Sequence, residues 1–382
     1  MMSRSSRLLA SRLRGYALAQ LRSPARPRTA QPRNRVTVLV LATLVAFSCA
    51  TANRDDEGDD AAGEPRARYS SEAGPTPVGA IPEASLYDSQ RKRDVGLAID
   101  YPIGAGPYPL IVFSHGYGAS GRAYVGLSSH WASNGYIVIK PSHNDNVKLA
   151  DITPADFRGR VADVKFVLDS IPALEQKYPE LKGKIDTAKI GVGGHSLGAL
   201  TAMLIAGART FPGPQSYADP RVKAAIAMSP QGPRESWGLT RESWAEVHIP
   251  VLYMTGDRDQ GIDETETPEW RREAFELSAA GDKWLISIPG AGHLAFTGRL
   301  GVMPEDRPRA PAIVDPNDPF GTRQSQTERS RPAMATDPVR VVSGTIKSLS
   351  LAFWDAYLRG DAAGREQLEK AGERSGVEVK KK

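Results

Sequence analysis

Three features of the sequence suit one kind of chemistry: a serine between glycines, a late histidine in a glycine loop, and two carboxylates at the end of an apolar run. Gly194-His195-Ser196-Leu197-Gly198 is a G-x-S-x-G sequence, with the strand-like run 189–192 before it and the helix-like run 199–206 after it. In that setting the glycines allow a tight strand-to-helix turn that exposes the serine hydroxyl. A hydroxyl alone is a weak nucleophile, so acyl transfer needs a base within hydrogen-bond reach and a third group to orient that base. Where such a turn carries a triad, its members follow in the order serine, acid, histidine. Of the six histidines, His115 and His195 sit inside other motifs, His130 and His143 precede Ser196, and His248 comes before any suitable acid. His293, in Pro289-Gly290-Ala291-Gly292-His293 just after the run 283–288, is the expected base. The acid is expected where Val251-Leu252-Tyr253-Met254-Thr255 runs into Gly256-Asp257-Arg258-Asp259, and periodicity does not separate Asp257 from Asp259.

Acyl transfer also needs two backbone N–H donors for the developing oxyanion. Leu197, directly after the nucleophile, supplies one by its position at the helix start. The other is expected from the loop Ser114-His115-Gly116-Tyr117-Gly118, where Gly116 permits close approach and Tyr117 presents its N–H and its ring. His115 reads as a residue that braces this loop. Tyr117, Tyr124, Trp237, Trp244 and Phe296 are candidates to line an apolar cleft, with core packing as the equal alternative.

The elements needed to position these groups alternate short apolar runs with amphipathic segments, the pattern of an α/β fold with a mostly parallel sheet covered by helices. Strands are expected at 95–101, 110–113, 136–140, 189–192, 222–228, 251–255 and 283–288. Phe157, Val161, Val164, Leu168 and Ile171 recur at steps of three and four, which predicts a helix over 154–171. Further helices are expected near 124–133 and over 344–358. The segment 229–250 between two strands is too short for a large cap over the site.

The formal net charge of +5 invites a polyanionic partner, but its distribution argues otherwise. Ten of the 49 basic residues are arginines within 1–54, a stretch with no Asp or Glu, and the other 39 face 44 acidic residues. No nucleic-acid motif accompanies them. The basic stretch ends at Arg35, followed by the apolar run 36–47 and then Ser48-Cys49-Ala50-Thr51-Ala52. Basic, apolar, small is the layout of a secretory signal, and the run is short of the roughly 20 residues that span a bilayer. A mitochondrial transit peptide is the rival reading, and its kind lacks so compact an apolar block. Cys49, the one cysteine, resembles the lipid-modified residue of a bacterial lipobox, with Ala46 where Leu is usual and Phe47 bulky. Ala50-Thr51-Ala52 offers an ordinary cleavage site as the alternative. Either processing puts the chain outside the cytoplasm, secreted or as a periplasmic or outer-membrane lipoprotein tethered through Cys49.

The expected organisation is therefore a leader over 1–52, an acidic linker over 53–83, a catalytic domain over 84–360 and a charged tail over 361–382. Within the domain, 300–341 is a Pro-, Arg- and Asp-rich insertion without periodicity. His143, two positions before Asp145, has no second cluster to complete a metal site, no phosphate-cradling glycine loop is present, and no cofactor is expected.

Taken together, Pro109-Leu110-Ile111-Val112-Phe113-Ser114-His115-Gly116, the 191–198 elbow, Met254-Thr255-Gly256-Asp257-Arg258-Asp259 and Gly290-Ala291-Gly292-His293 resemble one subgroup of the α/β-hydrolases. That subgroup holds predicted dienelactone-hydrolase-like esterases and platelet-activating-factor acetylhydrolases, with chlorophyllases and polyester hydrolases more distant. The resemblance covers about 84–358 and implies the α/β-hydrolase fold, a Ser-His-Asp triad and hydrolysis of small or polymeric carboxylic esters. Its Gly-x-x-Asp pattern selects Asp259 as the acid. Dienelactone hydrolases proper use a cysteine where this chain has Ser196, so dienelactone turnover is not implied. An acyltransferase or peptidase on the same machinery, or a surface-displayed binding protein that has lost catalysis, are the competing readings.

Overall fold

The computed structural model describes residues 68–145, 148, 151–212, 216–261, 265–297, 338–374 and 376–382. The expected leader, Cys49, the first part of the linker and almost all of the 300–341 insertion lie outside the described residues.

The described residues form a nine-stranded sheet in the order β1-β2-β4-β3-β5-β6-β7-β8-β9. Its strands are β1 (Val78–Asp88), β2 (Arg93–Pro102), β3 (Tyr108–Ser114), β4 (Ile137–Pro141), β5 (Ile185–His195), β6 (Val222–Met228), β7 (Val251–Arg258), β8 (Lys283–Gly292) and β9 (Glu378–Lys381). From β4 to β8 all pairings are parallel, while β1, β2 and β9 add antiparallel edges. This is the α/β-hydrolase arrangement expected from the sequence.

Both faces of the central strands are buried, which is why they read as continuous apolar runs rather than alternations. In β3, Leu110 and Val112 join one core while Ile111 and Phe113 join the other, following the two-residue period of a strand. The first core is closed by α2 (Pro154–Asp169), α3 (Ile171–Lys177), α4 (Leu197–Ala206) and α5 (Pro268–Leu277). The second is closed by α1 (Val125–Ser133), α6 (Pro338–Trp354) and α7 (Ala362–Glu369). Pro154 opens α2 after Thr153, whose backbone N–H is accepted by Asp156 at 2.8 Å, so the start of this helix is capped within its own first turn. Among the described residues no helix is long and apolar enough to cross a membrane.

Two boundaries differ from expectation. Strand β1 begins at Val78, inside the stretch read as linker, and pairs with β2 from Val78↔Pro102 to Asp88↔Arg93. As an edge strand it buries little besides Ala84, Leu86 and Asp88, so its composition looks like that of a tether. The charged tail also folds: α7 buries Leu368, and β9 pairs with β8. A few apolar anchors, Leu368, Ala371 and Val377, hold a segment whose other side chains are mostly polar.

At the centre of the second core, Trp131 packs 5.6 Å from Phe113 and 6.0 Å from Trp354 and donates from Nε1 to Ser350 Oγ at 3.0 Å. Trp131→Ala should lower the free energy of unfolding by about 3–5 kcal/mol, read from the urea midpoint at unchanged slope.

Candidate active site

The central strand β5 ends at His195, and α4 begins at Leu197, leaving Ser196 alone to make the turn. Ser196 adopts φ 54°, ψ −122°, a conformation costly for a side-chain-bearing residue. Its N–H donates to the Met228 carbonyl at 2.9 Å and its carbonyl accepts from Ala199 N–H at 2.8 Å, which pins the turn between β6 and α4. Gly194 and Gly198 are required by space: a Cβ on Gly194 would run into the Gly198 carbonyl, and one on Gly198 into the Ser114 carbonyl.

His293 follows β8 and brings Nε2 to 3.0 Å from Ser196 Oγ and Nδ1 to 3.0 Å from Asp259 Oδ1. These three residues, spread over 97 positions, thus meet in one line. Asp259 is fully buried. Its Oδ2 also accepts from the hydroxyls of Ser229 at 2.6 Å and Thr255 at 2.8 Å. Arg271 lies beneath it, with Nε 3.0 Å from Asp259 Oδ1 and 3.2 Å from its main-chain oxygen. Burial alone would raise the Asp259 carboxyl; the His293 N–H, the Arg271 guanidinium and the Ser229 hydroxyl outweigh it and hold the group below its usual range. Asp257 is exposed, and its Oδ1 accepts from the Gly290 N–H at 2.6 Å, bracing the loop that leads to His293.

The loop after β3 is held by charged groups below it. Gly116 C=O accepts from His115 Nδ1 at 2.6 Å and from Arg160 Nη2 at 3.4 Å, while Arg160 Nη1 donates to the His115 carbonyl at 2.7 Å. Arg160 itself is held by Asp145, through Nε at 2.9 Å and Nη2 at 2.5 Å. A second buried serine–histidine–aspartate set, Ser114, His143 and Asp163, spans 2.8 and 2.9 Å under the same loop. Asp163 also receives Arg91 and Arg93, and Ser114 has no exposure, so this set ties β3 to α2 and presents no nucleophile to solvent. In a trans peptide the N–H points opposite to the C=O. Anchoring Gly116 C=O in the interior therefore turns the N–H of Tyr117 outward. Leu197 N–H is the first of the α4 donors that lack an intrahelical acceptor.

The aromatic candidates divide. Tyr117 is half-buried beside the site. The other four are packing residues rather than a cleft lining: Trp244 is completely buried against Met203, and Trp237 packs on Phe157 at 5.5 Å. Phe296 is buried beside the His195 ring, and the Tyr124 ring packs 5.0 Å from Phe113. For the two tryptophans the reason is geometric: between β6 and β7 the chain makes only short 3-10 turns, Glu235–Trp237 and Arg241–Trp244, whose rings fold inward to cover the first core. Exposed apolar surface next to His293 comes instead from Leu294. Sequence reasoning missed Arg271 because it missed α5, although Thr267-Pro268-Glu269 carries the signal: a threonine cap that accepts from Trp270 N–H, then proline at the first helical position.

The chain is similar in sequence to several known proteins. A family model described as Chlorophyllase matches residues 80–212. The cutinase cut1 of Thermobifida fusca is 25% identical, over 64% of this chain and 69% of that protein. The cutinase est1 of Thermobifida alba is 25% identical, over 66% of this chain and 80% of that protein. A bis(hydroxyethyl) terephthalate hydrolase of Streptomyces coelicolor is 28% identical, over 43% of this chain and 44% of that protein.

Arg271→Met leaves the Asp259 carboxylate buried without its cation and should cost about 3–5 kcal/mol of stability at pH 7. Because the folded-state pKa of Asp259 is depressed, its contribution is present above the unfolded value of about 3.9 and is lost as the pH falls through the lower folded value. The gap between wild type and variant in thermal unfolding should therefore narrow below about pH 4.

Proposed function

We propose that this chain, a carboxylic ester hydrolase of the α/β-hydrolase fold, works through an acyl-enzyme formed on Ser196. The observation that carries the reading is the line Ser196 Oγ–His293 Nε2–Asp259 Oδ1, two contacts of 3.0 Å that start from a strained, partly exposed serine.

Ser196 Oγ attacks the ester carbonyl as its proton passes to His293 Nε2. Asp259 accepts the Nδ1–H, fixes the tautomer and stabilises the imidazolium. The oxyanion settles against the N–H groups of Leu197 and Tyr117, whose peptide planes are held before substrate arrives. Collapse of the tetrahedral species breaks the C–O bond, and His293 returns the proton to the departing alcohol. Water then repeats the sequence on the acyl-serine.

With the rings of Trp237 and Trp244 turned into the core and no helical cap between β6 and β7, the described surface favours short acyl groups or accessible esters of a larger molecule. Relatives named for cutin and for bis(hydroxyethyl) terephthalate support that class of substrate. The basic–apolar–small order of 1–52 supports export, with Cys49 as a lipid anchor or 50–52 as the cleavage site. An intact mass of the exported chain separates these two fates.

On p-nitrophenyl acetate, butyrate and octanoate, turnover by the full chain should fall with acyl length, and Ser196→Ala should lower kcat by about 10⁶-fold. Equal inertness of wild type and Ser196→Ala would move the binding-protein reading to the front. Asp259→Asn should lower kcat about 10⁴-fold by losing the correct tautomer, while Asp257→Asn stays within about tenfold of wild type.

A further inference from the structure

His195, the residue before the nucleophile, has a ring that is only 3% exposed and turned inward. Both of its nitrogens are engaged. Nε2 lies 2.9 Å from the carbonyl oxygen of His293, and Nδ1 lies 2.8 Å from the hydroxyl of Tyr124. A carbonyl only accepts, so Nε2 carries the proton and Nδ1 accepts from the tyrosine O–H. That hydroxyl in turn accepts from the Gly116 N–H at 3.0 Å. The direction of the whole chain is thereby forced: Gly116 N–H to Tyr124, Tyr124 O–H to His195, His195 Nε2–H to the backbone of His293.

The chain joins the loop after β3, the start of α1, the end of β5 and the turn after β8, just beyond the last β3–β5 ladder pair, Ser114↔Gly194. It also closes a ring. The His293 side chain reaches Ser196, while the residue beside Ser196 holds the His293 backbone. Tyr124 adopts φ 64°, ψ 21°, a left-handed conformation unfavourable for an aromatic residue, at the point that aims its hydroxyl between Gly116 and His195.

We propose that Tyr124 and His195 form a positioning relay that keeps the oxyanion loop, the nucleophile and the base loop in register, resting on the roles given above to Ser196, His293 and Tyr117. Neither residue touches substrate. Burial, and then the neighbouring His293, hold the His195 imidazole well below its usual range. A neutral ring is what the chain of donors requires, because a protonated Nδ1 would face the tyrosine with a second donor. It also keeps a like charge away from His293, whose ring centre is 4.8 Å distant, when that residue becomes an imidazolium.

The test is steady-state kinetics of the full chain on p-nitrophenyl acetate. Tyr124→Phe keeps the ring and removes the link, and should lower kcat by about 10- to 100-fold with KM within about twofold, the pattern of a misplaced transition-state contact. His195→Asn can still accept from Tyr124 and His195→Gln can still reach the His293 carbonyl, so each should lose less than His195→Leu. The double variant Tyr124→Phe/His195→Leu should be no worse than His195→Leu alone, because one relay has been cut twice. Losses that multiply, or that appear only in KM, would overturn the relay. Inactive Ser196→Ala beside a Tyr124→Phe enzyme of wild-type kcat would reject the relay alone, whereas active Ser196→Ala would reject the catalytic reading beneath it. Should the His195 variants fail to fold, ¹⁵N spectra of the wild-type histidines decide. A neutral His195 with its proton on Nε2 from pH 5 to 9 supports the relay, and a proton on Nδ1 refutes it.

Discussion

The strained turn at Ser196 is the constraint on which the rest of the site depends. Holding a serine at φ 54° costs of order 1–3 kcal/mol, and it persists only where the surroundings over-determine it. Here β5 lies between β3 and β6 near the middle of the sheet, and α4 leaves at once across the first core. The serine N–H is tied to the end of β6, and Gly198 lies against the Ser114 carbonyl at the end of β3. The turn therefore fixes the distance between Ser196 and the loop after β3 without any flexible side chain between them.

Around this turn the protein buries charge, and it does so in paired sets. Asp259, Arg271 and Glu266 form one, with the Arg271 guanidinium 3.0 Å from each carboxylate. Asp163 with His143 and two arginines forms another, under the opposite loop. A buried pair adds little net stability, but an uncompensated member is severely costly. Such sets resist rearrangement, which suits a site whose donors must stand in place before charge develops. The same arrangement explains why Asp259, deeply buried, remains a carboxylate.

Much of this was legible in the sequence because parallel strands buried on both faces advertise themselves as apolar runs. The strands at 222–228, 251–255 and 283–288 needed only their apolar blocks, and the elbow needed only its glycines. Choosing between Asp257 and Asp259 was beyond periodicity, because both stand at one strand end; burial and the Arg271 contact distinguish them in space. The edges were hidden for the opposite reason. Strands β1 and β9 bury few side chains, so their polar composition reads as linker and tail. The aromatic residues stayed open between cleft lining and core because burial, not residue type, separates the two: Trp244 has no exposure, while Leu294, next to His293, is exposed. The contact between Tyr124 and His195 spans 71 positions, which no local pattern records.

On the proposed reading, Ser196 is a nucleophile activated by His293. The most direct test is covalent capture. The full chain would be treated with diethyl p-nitrophenyl phosphate, released p-nitrophenolate would be followed, and the modified peptide would be identified by mass spectrometry. An activated Ser196 predicts stoichiometric release and a diethylphosphoryl group on the peptide bearing Gly194-His195-Ser196, both abolished in His293→Ala. No adduct, or an adduct on another residue at the same rate in the variant, would contradict it.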